Sequence, residues 1–172
     1  MRFQLLERSI GALLKGQDIV VALVLVDHPG AAYAALGERV GLSASAVHRA
    51  MSRLGVSGLV DPARRHVVRA HLVEFLVHGA RYVFPAAAGA SARGIACGVS
   101  VLAEGGTAPE WVWADPDGAH DAPALAPLHA SALVASAGAP AVHRRLVAVD
   151  VMRAGSPDAR RVAAAWLRTQ LG

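Results

Sequence analysis

Two glycines four residues apart constrain this chain more than any other feature. Gly37 and Gly41 sit among Leu36, Val40 and Leu42, with Val47 and Ala50 following. Two short helices pack closely only where a small residue sits at their contact. The turn between them needs a residue that accepts left-handed dihedrals. Gly37 meets the first requirement and Gly41 the second. The pattern predicts a helix over Ala31–Val40 with Tyr33, Leu36 and Val40 on one face, a turn at Gly41-Leu42-Ser43, and a second helix over Ala44–Leu54. Ser43 is the expected N-cap of the second helix, and Gly55 its stop. A helix-turn-helix centred on Leu36–Leu54 is therefore the organising expectation. The alternative is a plain helical hairpin in a helical core.

The second helix of that unit divides into two faces. Val47, Ala50, Met51 and Leu54 point inward, and Ser45, His48, Arg49, Ser52 and Arg53 point outward. A short, polar, basic face is what insertion into a DNA major groove requires. Arg49 has the fork to donate two hydrogen bonds to a guanine edge. Ser43, Ser45, His48 and Ser52 suit bases or nearby phosphates. Arg53, Arg64 and Arg65 suit phosphates, which position a protein without reading sequence. The charge distribution agrees. Met1–Arg81 holds ten Lys/Arg against six Asp/Glu, whereas the remainder holds seven of each. The whole excess of +4 thus lies in the half with the helix-turn-helix, which points to a polyanionic partner for that half.

Flanking elements follow from periodicity and punctuation. Helices are expected over Phe3–Leu14 and Gln17–Asp27. The apolar run Ile19–Val26 reads as a buried helix segment, too short for a membrane span of about 20 residues. Asp61-Pro62 is a strong helix start. Val68, Leu72, Phe75 and Leu76 then recur at helical spacing, so a helix is predicted over Pro62–His78, with any β-wing before it very short or absent. Arg81–Phe84 reads as a strand, Ala86–Arg93 as a loop, Ile95–Leu102 as a strand, and Trp111–Trp113 as a strand entering a turn at Asp115–Gly118. Helices close the chain over Pro140–Arg153 and Pro157–Leu171, the last capped by Ser156. The expected fold is mainly α with a small β region. A helix-turn-helix domain spans 1–80 and a small α+β domain spans 81–172, the latter serving dimerisation or a partner or ligand.

The stretch Leu36-Gly37-Glu38-Arg39-Val40-Gly41-Leu42-Ser43-Ala44-Ser45-Ala46-Val47-His48-Arg49 resembles the helix-turn-helix of bacterial repressors, and its flanks resemble winged-helix proteins of the MarR type. Arg81–Ala86, Arg93-Gly94-Ile95 and Val112-Trp113 with Pro116 and Gly118 resemble small uncharacterised bacterial helix-turn-helix proteins. The resemblances imply a transcriptional regulator, in the second case one encoded beside a toxin-like nucleotidyltransferase.

Other chemistry finds little support in the residues. Cys97 is the one cysteine, which rules out an intrachain disulfide and fits a reducing cytoplasm. Asp115, Asp117 and Asp121 lack the third carboxylate and closing Glu of a calcium loop. His66 and His71, five apart, do not share a helix face as metal ligands would. No glycine-rich phosphate loop or Ser–His–Asp signature is present, so no catalytic residue, cofactor or metal is assigned. The sequence reading is a cytoplasmic, homodimeric regulator of double-stranded DNA, more consistent with a repressor than an enzyme. The alternative is an antitoxin-like module that binds a toxin partner through Tyr82–His129 and represses its own operon.

Overall fold

The computed structural model describes residues 13–103 and 108–172. Helix α1 (Gly16–Leu25) carries the apolar run, and Ile19–Leu25 are all essentially inaccessible. A helix apolar all round is buried on every side rather than lying on a surface, and α1 occupies that position. Helices α2 (Tyr33–Val40) and α3 (Ala44–Val56) pack on it and on each other. Gly41 ends α2 in the left-handed conformation, φ 66°. Ser43 caps α3, its Oγ accepting from the Ala46 N–H at 3.2 Å. Helix α3 does not stop at Gly55. It runs on to Val56, and the left-handed residue beyond it is Gly58, φ 72°.

The helix expected over Pro62–His78 is not what forms. Strands β1 (Val60–Asp61) and β2 (His66–Val67) pair antiparallel, with Val60 opposite Val67, and Pro62–Arg65 is the turn between them. Helix α4 begins only at Arg69 and ends at His78. Asp61 does cap backbone groups, accepting from the N–H of Ala63 (2.9 Å) and Arg64 (3.1 Å), but these bonds close a tight turn. Val67 is buried in the common core, which holds the chain extended where periodicity alone predicts helix. The result is a short two-stranded wing.

The β region also departs from expectation. Arg81–Phe84 is not a strand, since Ala80–Val83 forms a short helix, α5. The stretch expected as a loop over Ala86–Arg93 lies largely in the long strand β3 (Ala88–Cys97), which ends before Leu102 and gives way to a 3-10 turn at Val99–Val101. Strand β4 (Trp111–Ala114) pairs with the C-terminal half of β3, and β5 (His120–Leu125), unforeseen in the sequence, pairs with its N-terminal half. Val112 and Ala124 join β4 to β5 in parallel, closing the three strands on one another. Gly94 sits where β3 meets both partners, and a Cβ there would lie 2.1 Å from the carbonyl oxygen of Trp113. Small residues let the strands approach that closely, and their low strand propensity hides them from a sequence reading.

Helices α6 (Ser131–Ser136), α7 (Pro140–Ala154) and α8 (Pro157–Leu171) complete the chain. The last two agree with expectation, Ser156 capping α8 through the Ala159 N–H. Of the helix expected over Phe3–Leu14, only Leu13 and Leu14 lie within the described residues, and they are not helical. One apolar core runs from α1 through the wing into α7 and α8, across the boundary expected near residue 80. A partly buried ion pair crosses it. Arg145 on α7 grips Asp27 at the end of α1 through both guanidinium ends, at 2.6 and 2.8 Å. Asp150 on α7 accepts from the Trp113 indole at 2.7 Å and pairs with Arg153, whose Nε reaches the Phe84 carbonyl at 2.7 Å. No described helix is long and apolar enough to cross a membrane.

Candidate nucleic-acid interface

Amphipathicity aims α3. Val47, Ala50, Met51 and Leu54 are at most 1% exposed and pin its inner face to the core. Ser45, His48, Arg49 and Ser52 are all exposed on the outer face, at the i, i+3, i+4, i+7 spacing that makes one stripe. Val56 extends that stripe and is 72% exposed. Ser43 is exposed at the helix start, where its hydroxyl is already engaged as the cap and lies 3.2 Å from Ser45 Oγ.

Arg53 is the exception on this helix. It was expected to point outward to a phosphate, but its Nε and Nη2 donate to the two carboxylate oxygens of Asp18 at 2.8 and 2.6 Å. Its side chain is 11% exposed and that of Asp18 is fully buried. The Asp18 hydrogen bond raises the arginine pKa above its ordinary value, so the guanidinium stays charged. Asp18 also accepts from the Lys15 N–H at 2.8 Å, the return half of a capping box at the start of α1. A buried carboxylate needs a cation, and α3 supplies it. The signal was present in the sequence as an acid just before an otherwise apolar run, but nothing there says which arginine answers it.

The wing brings Arg64 and Arg65 beside α3. Arg64 is 79% exposed, 3.9 Å from Asp61 in a loose pair. Arg65 holds a left-handed backbone, φ 51°, and its carbonyl accepts from the Gly30 N–H at 2.8 Å. That bond fastens the wing turn to the loop before α2. The Arg65 guanidinium lies 5.9 Å from the centre of the Tyr33 ring, and the ring stands edge-on to His48 at 5.4 Å. Tyr33 was expected only as an inward packing residue. It lines, with His48, Ser52, Val56 and Pro62, a cavity of about 380 Å³ between the exposed face of α3 and the wing. The structure thus brings together Ser45, His48, Arg49, Ser52, Arg64 and Arg65, adds Tyr33, and withdraws Arg53.

Among the described residues, no group of three or more His, Cys, Asp or Glu is placed to hold a metal ion. Cys97 is buried, and burial together with the charges of Asp150 and Glu110 pushes its thiol pKa well up.

Comparison with curated proteins and with solved structures finds no match. The family model for winged helix-turn-helix DNA-binding domains matches residues 23–61. That span begins inside α1, contains α2, Gly41 and the whole of α3, and ends on the first strand of the wing. The matched segment and the geometry coincide on the same two helices and turn: residues 23–61 of this chain are similar to winged helix-turn-helix DNA-binding domains.

Proposed function

We propose that this chain is a sequence-specific transcriptional regulator that binds operator DNA as a homodimer and acts as a repressor. The observation that carries the reading is the exposed stripe Ser45, His48, Arg49 and Ser52 on a helix whose inner face is locked to the core, flanked by Arg64 and Arg65 on the wing. In this reading α3 enters the major groove, Arg49 reads a guanine edge, and the wing arginines meet the phosphate backbone. Two-fold pairing places two such helices on half-sites one helical turn apart. Occupying a promoter is enough to block it, so repression asks nothing further of the protein.

The test is operator selection from a random duplex library, followed by titration at two salt concentrations. Arg49→Ala costs about 1–3 kcal/mol on the selected site and relaxes preference at one base pair. Arg64→Ala weakens all duplexes equally and lowers the salt slope by about one. Light scattering gives twice the chain mass of 17.7 kDa. A protein that binds no duplex at low salt, or an Arg49→Ala variant that selects the same site with the same affinity, overturns the reading.

A further inference from the structure

The half of the chain beyond Arg81 carries no net charge, yet its arginines are unevenly placed. Arg93, Arg145 and Arg153 are each paired with an aspartate, and Arg144 donates to the Leu102 carbonyl. Arg160, Arg161 and Arg168 follow one stripe of α8 and face Arg81 of α5 across an open groove of about 590 Å³. The groove floor is apolar, formed by Val77, Met152 and Ala164, all buried. Among the described residues, no Asp or Glu lines it.

Among the described residues, the charges of this groove are scarcely balanced. Arg161 pairs with Asp158, but the two side chains are 78% and 82% exposed, where such a pair contributes little. Arg160 donates to the Met152 carbonyl, a contact that leaves its charge in place. The Arg81 guanidinium lies over the Tyr82 ring, 4.5 Å from its centre. Four guanidiniums with one exposed aspartate beside them leave net positive charge around one groove, and a bound anion offsets their mutual repulsion. The volume falls within the range of small-molecule sites, about 300–1,000 Å³.

We propose that this groove binds a small organic polyanion of the nucleoside di- or triphosphate class, a flat heterocycle carrying two or more phosphates. Guanidinium forks match phosphate oxygens two at a time, and four of them exceed what a single carboxylate engages. The Tyr82 ring, 70% exposed at the edge of the apolar floor, is covered by Arg81 on one face and offers the other for a heterocycle to stack on. The groove is separate from the DNA-binding face. Helix α4 leaves the wing at Arg69 and runs 10 residues, about 15 Å, to His78, and the groove opens at that far end.

Isothermal titration of the full chain with ADP and with inorganic pyrophosphate tests the site. ADP saturates at one per chain, and the double variant Arg161→Ala/Arg168→Ala weakens it at least about tenfold, the scale of losing two charge-assisted contacts. Tyr82→Ala weakens ADP but leaves pyrophosphate unchanged. Arg161, Arg168 and Tyr82 are exposed, so far-UV melts of the variants match the parent. Four results each overturn the proposal: no ADP binding up to about 1 mM at low salt, ADP binding that the double variant retains, ADP binding indifferent to Tyr82→Ala, or loss of random-duplex affinity in the double variant with no ADP binding in the parent. The last would assign the groove to the DNA backbone.

Discussion

Replacing Arg53 with methionine separates a structural role from a DNA contact. In the parent, Asp18 is fully buried and accepts from Arg53 at 2.8 and 2.6 Å and from the Lys15 N–H at 2.8 Å. Arg53→Met leaves the carboxylate with the backbone donor alone. Removing one partner of a buried ion pair costs about 3–5 kcal/mol. For a chain of this length each kcal/mol lowers Tm by about 2–4 °C, so the expected loss is roughly 6–20 °C in a thermal melt followed by circular dichroism. The low end is favoured, because the Arg53 side chain keeps 11% of its exposure and water can reach the edge of the site. Asp18→Leu with Arg53→Met removes both charges and fills the space with apolar groups, which recovers most of the stability. That double variant is then assayed on operator DNA at two salt concentrations. If Arg53 acts only through Asp18 to seat α3, the double variant keeps the parental affinity and salt slope. A stable double variant whose salt slope falls by about one would show that Arg53 meets a phosphate, and the structural assignment would be refuted. An Arg53→Met variant as stable as the parent would refute the energetic argument.

Three further outcomes follow from the packing. A Cβ on Gly37 would lie 2.4 Å from the Leu42 carbonyl oxygen, so Gly37→Ala forces the turn apart and costs about 1–3 kcal/mol, read as a lowered denaturation midpoint; an unchanged midpoint contradicts the contact. Cys97 stays unreactive toward a thiol reagent in the native protein and reacts fully once unfolded, since burial both blocks it and disfavours its thiolate; rapid native labelling contradicts its placement. Hydrogen bonding to Arg145 lowers the Asp27 pKa below its ordinary 3.8, so the stability this pair contributes is present above that pH and is lost as pH falls through the lower folded value. The acid limb of the stability curve is accordingly shallower in Asp27→Asn, and an unaltered limb counts against the contact.

The helix-turn-helix was readable because its determinants are local. Gly37, Gly41 and Ser43 act through steric and capping demands within a few residues of themselves, and the 3.6-residue repeat of Val47, Ala50, Met51 and Leu54 fixes which face of α3 stays wet. The same holds for α8, whose Ser156-Pro157 start needs no distant partner. The outward placement of Ser45, His48, Arg49 and Ser52 was legible for that reason.

What tertiary structure decided were the features whose outcome rests on partners far along the chain. Asp61-Pro62 begins either a helix or a tight turn by the same hydrogen bonds. Burial of Val67 and pairing of Val60 with it selected the turn, and so moved Arg64 and Arg65 from a helix to a wing. Arg53 and Asp18 lie thirty-five positions apart, and only the packing of α3 on α1 brings the charges together. Strand β3 is drawn mostly from Ala, Gly and Ser, residues with no strand signature of their own. It is held by β4 and β5 from either side, and the close approach at Gly94 is possible because that residue has no side chain. Local sterics are written in neighbouring residues, whereas a buried charge or an extended small-residue strand is defined by whatever the fold sets against it.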